Sequence, residues 1–195
     1  MDIVLVGFIG SFIFGGWRNG FLRSLLGLVF TIVAMVLGAY FRYPVGVVAK
    51  QFFPTIPADY ASLVGYVIAF PVILALLHLV SGFVLGRTAP RGMAREMDAA
   101  LGAVFGALEA ILILSAVIVI VDAYFGTNST FGTAVAPGLL KEFTAAFNAS
   151  ETVKILSGTT VPVVLAILTP ILPSDVTKLL PGGLPNRLPF PTSIP

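Results

Sequence analysis

Glu109 and His78 are the side chains best placed to do chemistry, because each lies deep inside an otherwise apolar run. The glutamate sits in Ala99 to Asp122 and the histidine in Ser62 to Gly86. A carboxyl group and an imidazole in contact can share one proton, the basic element of a proton relay or a coupled transport site. The same two groups can also form a buried hydrogen bond that fixes helix register, with Glu109 protonated. Their depths are compatible with contact. His78 lies about 12 Å from one end of its run and Glu109 about 15 Å from the start of the next, at 1.5 Å per helical residue. Adjacent antiparallel helices bring them to nearly the same level.

Small residues surround both positions. Gly102, Gly106 and Glu109 recur at i, i+4 and i+7, and His78, Gly82 and Gly86 at i, i+4 and i+8. Such faces let helix backbones approach closely. They are expected to be buried in the bundle, with the Gly82 and Gly106 faces near each other. Other chemistry lacks its residues. With one histidine and no cysteine, the chain has no thiolate metal site, disulfide or cysteine nucleophile. It also lacks P-loop, HExxH and GxSxG motifs. Ser81 or Ser115 could pair with His78, but no motif supports either as a nucleophile. No catalytic, cofactor-binding or metal-binding residue is assigned.

The elements that hold these residues must be membrane helices. Hydrophobic residues make up 57% and charged residues 10% of the 195, and the mean hydropathy is +1.03. A soluble chain carries about a quarter charged residues. Between Ala99 and Asp122, thirteen large apolar side chains oppose one acid. They favour insertion by roughly 4–8 kcal/mol, against about 3 kcal/mol for the central carboxyl group. The segment inserts despite Glu109. Helices are predicted over about 3–16, 21–41, 62–86 and 99–122, with Pro71 inside the third and Pro44, Pro54 and Pro57 marking the second connection.

Charge sets the orientation. Arg18 and Arg23 flank the first turn and Arg87, Arg91 and Arg95 the third, while the second connection has only Arg42 and Lys50. This bias predicts cytoplasmic first and third turns, with both termini on the outer face. The start, Met1-Asp2, lacks the basic opening of a cleavable signal, so the first helix is expected to be retained. Beyond the 1–125 membrane domain, 126–180 reads as an outer-face segment. It contains an amphipathic helix over Ala134 to Phe147 and a short interfacial or re-entrant piece over Val161 to Leu172. Residues 181–195 form a proline-rich tail.

Two segments carry a resemblance. Trp17-Arg18-Asn19-Gly20-Phe21-Leu22-Arg23 resembles the first-turn signature of the colicin V production protein family. Asp98-Ala99-Ala100-Leu101-Gly102-Ala103-Val104-Phe105-Gly106 is similar to its second signature, an aspartate followed by Leu-Gly and Phe-Gly. The matching positions are Arg18, Gly20, Phe21, Asp98, Gly102 and Gly106, within about residues 2–125. Asn19 and Ala99 depart from the pattern, and Glu109 is not a residue the family supplies.

The resemblance implies an all-α polytopic bundle of about four transmembrane helices with a partly ordered C-terminal segment. It also implies a bacterial inner-membrane protein connected with toxin production or export and with envelope homeostasis. A non-enzymatic scaffold is expected, meeting the lipid bilayer and membrane or periplasmic protein partners, with no nucleic acid and with homo-oligomer formation left open. The competing class is a transporter or channel subunit using Glu109 and His78.

Overall fold

Gly20 makes the first bend. Its φ of 80° and ψ of 173° suit a residue without a β-carbon. Helix α1 (Asp2–Asn19) therefore ends there and α2 (Phe21–Phe52) starts on the next residue. The computed structural model describes residues 1–54, 60–84, 93–125 and 138–171. Among them the other elements are α3 (Ala61–Val84), α4 (Met93–Phe125), α5 (Gly138–Asn148) and α6 (Glu151–Leu168), with no strand. Four helices are long and apolar enough to cross a membrane: α2, α3, α4 and α6. The protein is an all-α polytopic membrane protein.

The membership of that set differs from expectation. α1, expected over 3–16, falls outside it because Asp2 and Arg18 lie within its 18 residues. At about 27 Å it still follows α4, from Gly102 at one end to a cluster joining Leu5 with Leu114, Ile118 and Val121 at the other. α6 enters the set because it starts at Glu151, capped by Ser150 and well ahead of the apolar stretch at Val161, and continues through Pro162. α2 does not stop at Phe41 but passes Pro44 to Phe52. Across that region α3 lies backbone to backbone with it: a β-carbon on Gly46 would meet the Ala61 carbonyl, and one on Gly65 the Arg42 carbonyl. A close neighbour keeps a proline-containing helix continuous.

The packing order follows from these approaches. α3 runs antiparallel to α2, with Gly38 against Phe70 and Phe30 beside His78. α1 runs antiparallel to α4, with Gly16 against Gly102 and Phe12 against Gly106. α2 and α4 run parallel between them, Gly27 meeting Glu109 and Met35 clustering with Ala116. Outward faces such as Ile3, Val4 and Val6 on α1 and Val72, Leu76 and Leu79 on α3 are exposed, as lipid contact requires. The expected helix end at Gly86, Arg87 and Arg91 of the third turn and the 181–195 tail lie outside the described residues.

α6 packs on α4: Val153, Leu156 and Leu168 share clusters with α4 residues from Ile111 to Val121. Its N-terminus is clasped by the start of the chain. Asp2 Oδ1 accepts from Ser150 Oγ at 2.6 Å, Thr152 N at 3.0 Å and Thr152 Oγ1 at 2.9 Å. The Ser150 hydroxyl in turn accepts from Val153 N at 3.3 Å. A carboxylate at a helix N-terminus satisfies donors that the helix cannot satisfy itself. α5 is seated beside this clasp by Phe147, 2% exposed, in the cluster with Leu5 and Leu156.

Two predictions follow from these contacts. Gly16→Ala or Gly102→Ala drives a β-carbon into the partner backbone and destabilises the bundle by about 1–3 kcal/mol. Gly10→Ala, with nothing within 4 Å of its β-carbon, leaves detergent unfolding midpoints nearly unchanged. The hydrogen bonds from Ser150 and Thr152 hold the Asp2 carboxyl well below the usual carboxylate range. Its stabilisation is therefore present above the ordinary carboxyl value and is lost only as pH falls through the lowered one. Asp2→Ala accelerates hydrogen exchange at the Thr152 amide several-fold at neutral pH, whereas mild acidification of the native chain leaves that amide protected.

Candidate functional site

Glu109 reaches sideways from α4 into a gap that α2 leaves for it. The gap exists because Gly27 has no side chain: a β-carbon there would stand 2.8 Å from Glu109 Oε2. One turn further along α2, Thr31 Oγ1 donates to Glu109 Oε1 at 2.8 Å. Thr31 is 0% and Glu109 7% exposed, so this bond is largely buried. Ser24, Gly27, Thr31, Met35 and Gly38 are all buried on α2, and they trace a stripe of mostly small residues at helical spacing. That stripe is the sequence signal for Gly27 and Thr31, which residue-by-residue reading of ionisable groups passes over.

His78 approaches from α3. Its Nδ1 lies 3.0 Å from the Leu74 carbonyl oxygen, and its ring meets Phe30 edge-on at 6.1 Å between centroids. A carbonyl can only accept, so Nδ1 is the donor in this contact. The other ring nitrogen, Nε2, stands 3.9 Å from Glu109 Oε1. The two groups are neighbours across the α3–α4 space, yet beyond direct hydrogen-bonding distance.

Between them lies a cleft of about 570 Å³. α1 is packed on α4 and α3 on α2, and the space left between α1 and α3 is floored by Gly27, Gly106 and Glu109. It runs from Asn19 and Arg23, at the end with the α1–α2 turn, to Glu109 and Pro71 deeper in. His78 stands on one wall with its side chain 46% exposed. Among the described residues, no three His, Cys, Asp or Glu side chains gather as metal ligands would.

Gly102 and Gly106 pack against α1: β-carbons there would meet the Gly16 and Phe12 carbonyls. The matching small residue is Gly16, at the end of α1. Gly82 falls within α3, but its surroundings and those of Gly86 lie outside the described side chains.

The motif positions gather at the first turn. Asp98 Oδ1 accepts from the Phe21 amide at 3.1 Å, capping α2 from α4. The Asp98 carboxylate occupies the space where a Gly20 side chain would stand, and Gly102 abuts Gly20 from the next turn of α4. Phe21 meets Phe105 edge-on, 5.2 Å between centroids, and Ser24 Oγ donates to the Gly16 carbonyl at 3.4 Å. Arg18 stands apart, its guanidinium 5.8 Å from the centre of the Phe14 ring.

A family model described as colicin V production protein matches residues 1–161. The chain belongs to that family. The match runs beyond residue 125, where the resemblance was expected to end, and takes in α5 and the first half of α6. The clasp of Asp2 on Ser150 and Thr152 lies wholly inside it. No curated protein and no solved structure matches the chain.

The Thr31–Glu109 bond yields a direct test. Thr31→Val keeps shape but removes the donor, leaving a buried carboxyl oxygen short of a partner, and costs about 1–3 kcal/mol in detergent unfolding. Adding Glu109→Leu to Thr31→Val recovers part of that loss, because the orphaned acceptor is then gone.

Proposed function

We propose that this colicin V production family protein is a non-enzymatic scaffold of the bacterial inner membrane that supports toxin production or export and envelope homeostasis. Its arginine-bearing first and third turns lie in the cytoplasm, and its termini lie on the outer face. The observation that carries this reading is the docking of α5 and α6 on the bundle. Phe147, Val153 and Leu156 share one buried cluster with Leu5 and Ile118, and Asp2 clasps the start of α6. A membrane or periplasmic partner held by α5–α6 is thereby held in fixed register with the membrane helices. The packing of α6 on the half of α4 that leads to Asp122, with its start clasped by Asp2, favours a C-terminal part that starts and stays on the Asp122 side.

A second reading rests on the cleft. A transporter or channel subunit needs a protonatable group that an aqueous or lipid phase can reach, and Glu109 with His78 on the cleft wall supplies one.

One experiment separates the two. In a deletion strain with an envelope-stress or toxin-export defect, Asp2→Ala and Glu109→Gln are compared at matched membrane abundance. A scaffold loses rescue with Asp2→Ala and keeps it with Glu109→Gln. The reverse pattern transfers the function to the cleft.

A further inference from the structure

The cleft between α1 and α3 has two ends of different character. Asn19 and Arg23, both exposed, stand at the first-turn end. Trp17, exposed on the last turn of α1, marks that level as the membrane interface. Phe12, Pro71, Leu74 and Ala75 line the part that reaches toward the bilayer interior. From Ser11 to Asn19 the cleft extends about 12 Å along α1. Its volume of about 570 Å³ falls in the range of small-molecule sites.

The polar groups along the deeper walls are already engaged. Ser11 Oγ donates to the Phe8 carbonyl at 2.6 Å, and Ser24 Oγ to the Gly16 carbonyl at 3.4 Å. His78 Nδ1 is taken by the Leu74 carbonyl, and Glu109 has Thr31 Oγ1 on one oxygen and His78 beside it. Walls satisfied in this way can lie against hydrocarbon at little cost. Arg23 at the rim differs. A guanidinium carries five N–H donors and a positive charge, so it can keep a contact within the protein and also hold an oxyanion. A cationic rim at headgroup level above apolar walls matches an anionic phospholipid, read from phosphate to acyl chain. Basic pockets between membrane helices take such headgroups.

We propose that the cleft holds an anionic phospholipid of the leaflet on the first-turn side, its phosphate against Arg23 and Asn19 and one acyl chain descending along Phe12, Leu74 and Ala75. The lipid enters sideways, past the exposed wall at Ala75 and His78. This goes beyond both readings above, since neither assigns a lipid to the cleft.

The test places the full chain in phosphatidylcholine nanodiscs with a small fraction of phosphatidylglycerol or phosphatidylcholine bearing a photoactivatable diazirine on the acyl chain. Crosslinked residues are mapped by mass spectrometry. The phosphatidylglycerol probe labels Phe12, Gly15, Leu74 and Ala75 about fivefold more than the phosphatidylcholine probe, as one arginine beside a lipid phosphate implies. Unlabelled phosphatidylglycerol competes that excess away. Arg23→Gln removes the preference. Arg18→Gln, whose guanidinium lies by Phe14 and does not line the cleft, leaves it in place, which separates a seated lipid from general attraction to a basic turn. Gly15→Leu is the second variant. A β-carbon at Gly15 has nothing within 4 Å, so a larger side chain can enter the cleft and reduce labelling of Leu74 and Ala75 to the phosphatidylcholine level with Arg23 intact. Circular dichroism and the unfolding midpoint confirm that each variant is folded. Equal labelling by the two probes, a preference that survives Arg23→Gln or Gly15→Leu, or one lost equally in Arg18→Gln would overturn the proposal. So would displacement of the probe by inorganic phosphate, which assigns the site to a soluble anion.

Discussion

Backbone contact between α1 and α4 is the constraint on which the bundle depends. Inside a membrane, burying apolar side chains gains little, since lipid is as apolar as leucine, and close packing must supply the association. At Gly16, Gly102 and Gly106 the two helices meet with no side chain between them. That approach fixes the height of α1 against α4 and brings Gly20 over Asp98. The first turn, the start of α2 and the α2 stripe of small residues then follow in register. Gly27 arrives opposite Glu109 because Gly20 is held at Asp98: the two contacts lie seven residues apart on α2 and eleven on α4. Neighbouring parallel helices can absorb the difference through tilt and reach of the glutamate side chain.

Two aspartates repeat one device at opposite ends of the molecule. Asp98 takes the first amide of α2, and Asp2 takes an early amide and two hydroxyls of α6. A helix N-terminus leaves four amides without internal partners. Here the missing acceptors come from a different helix, so the same hydrogen bonds that cap also tie elements together. At the first turn the arrangement requires glycine twice over, for the positive φ at Gly20 and for the space the carboxylate occupies. The first-turn residues thus form largely one joint: Gly20, Phe21, Asp98 and Gly102 each touch another member of the group.

Local pattern carried most of the fold into view. Apolar run length marks α2, α3 and α4 as spans, and the charges at Asp2 and Arg18 explain why α1 is a weaker one. Pro44 misled the placement of the α2 end, because the hold of α3 on the proline-bearing turn is invisible along the chain. Val161 misled the start of α6 for a related reason. The start of that helix is capped by Ser150 and held by Asp2, 148 residues away, and no window of sequence contains both. At the cleft, Glu109 and His78 announced themselves as polar groups in apolar runs. Gly27 and Thr31 were legible only as a stripe of small residues. The facing of Gly102 toward α1 could not be decided between two glycine-bearing neighbours.

The placement of Glu109 now has a physical account that does not depend on its use. A carboxyl group among apolar helices is tolerated when its oxygens are supplied with donors and its volume is accommodated. Thr31 and the missing side chain of Gly27 do both on one helix. Those two features suffice for a structural acid. The cleft is the feature a purely structural acid does not call for. The small residues Gly106 and Ala75 are among those that line the space beside it. The Gly106 position is already committed to α1 by the Phe12 carbonyl, so its small size follows from helix packing. Ala75 is exposed on α3. The open wall at Ala75 and His78, opposite a buried carboxylate, is therefore the part of this protein that packing alone leaves unexplained.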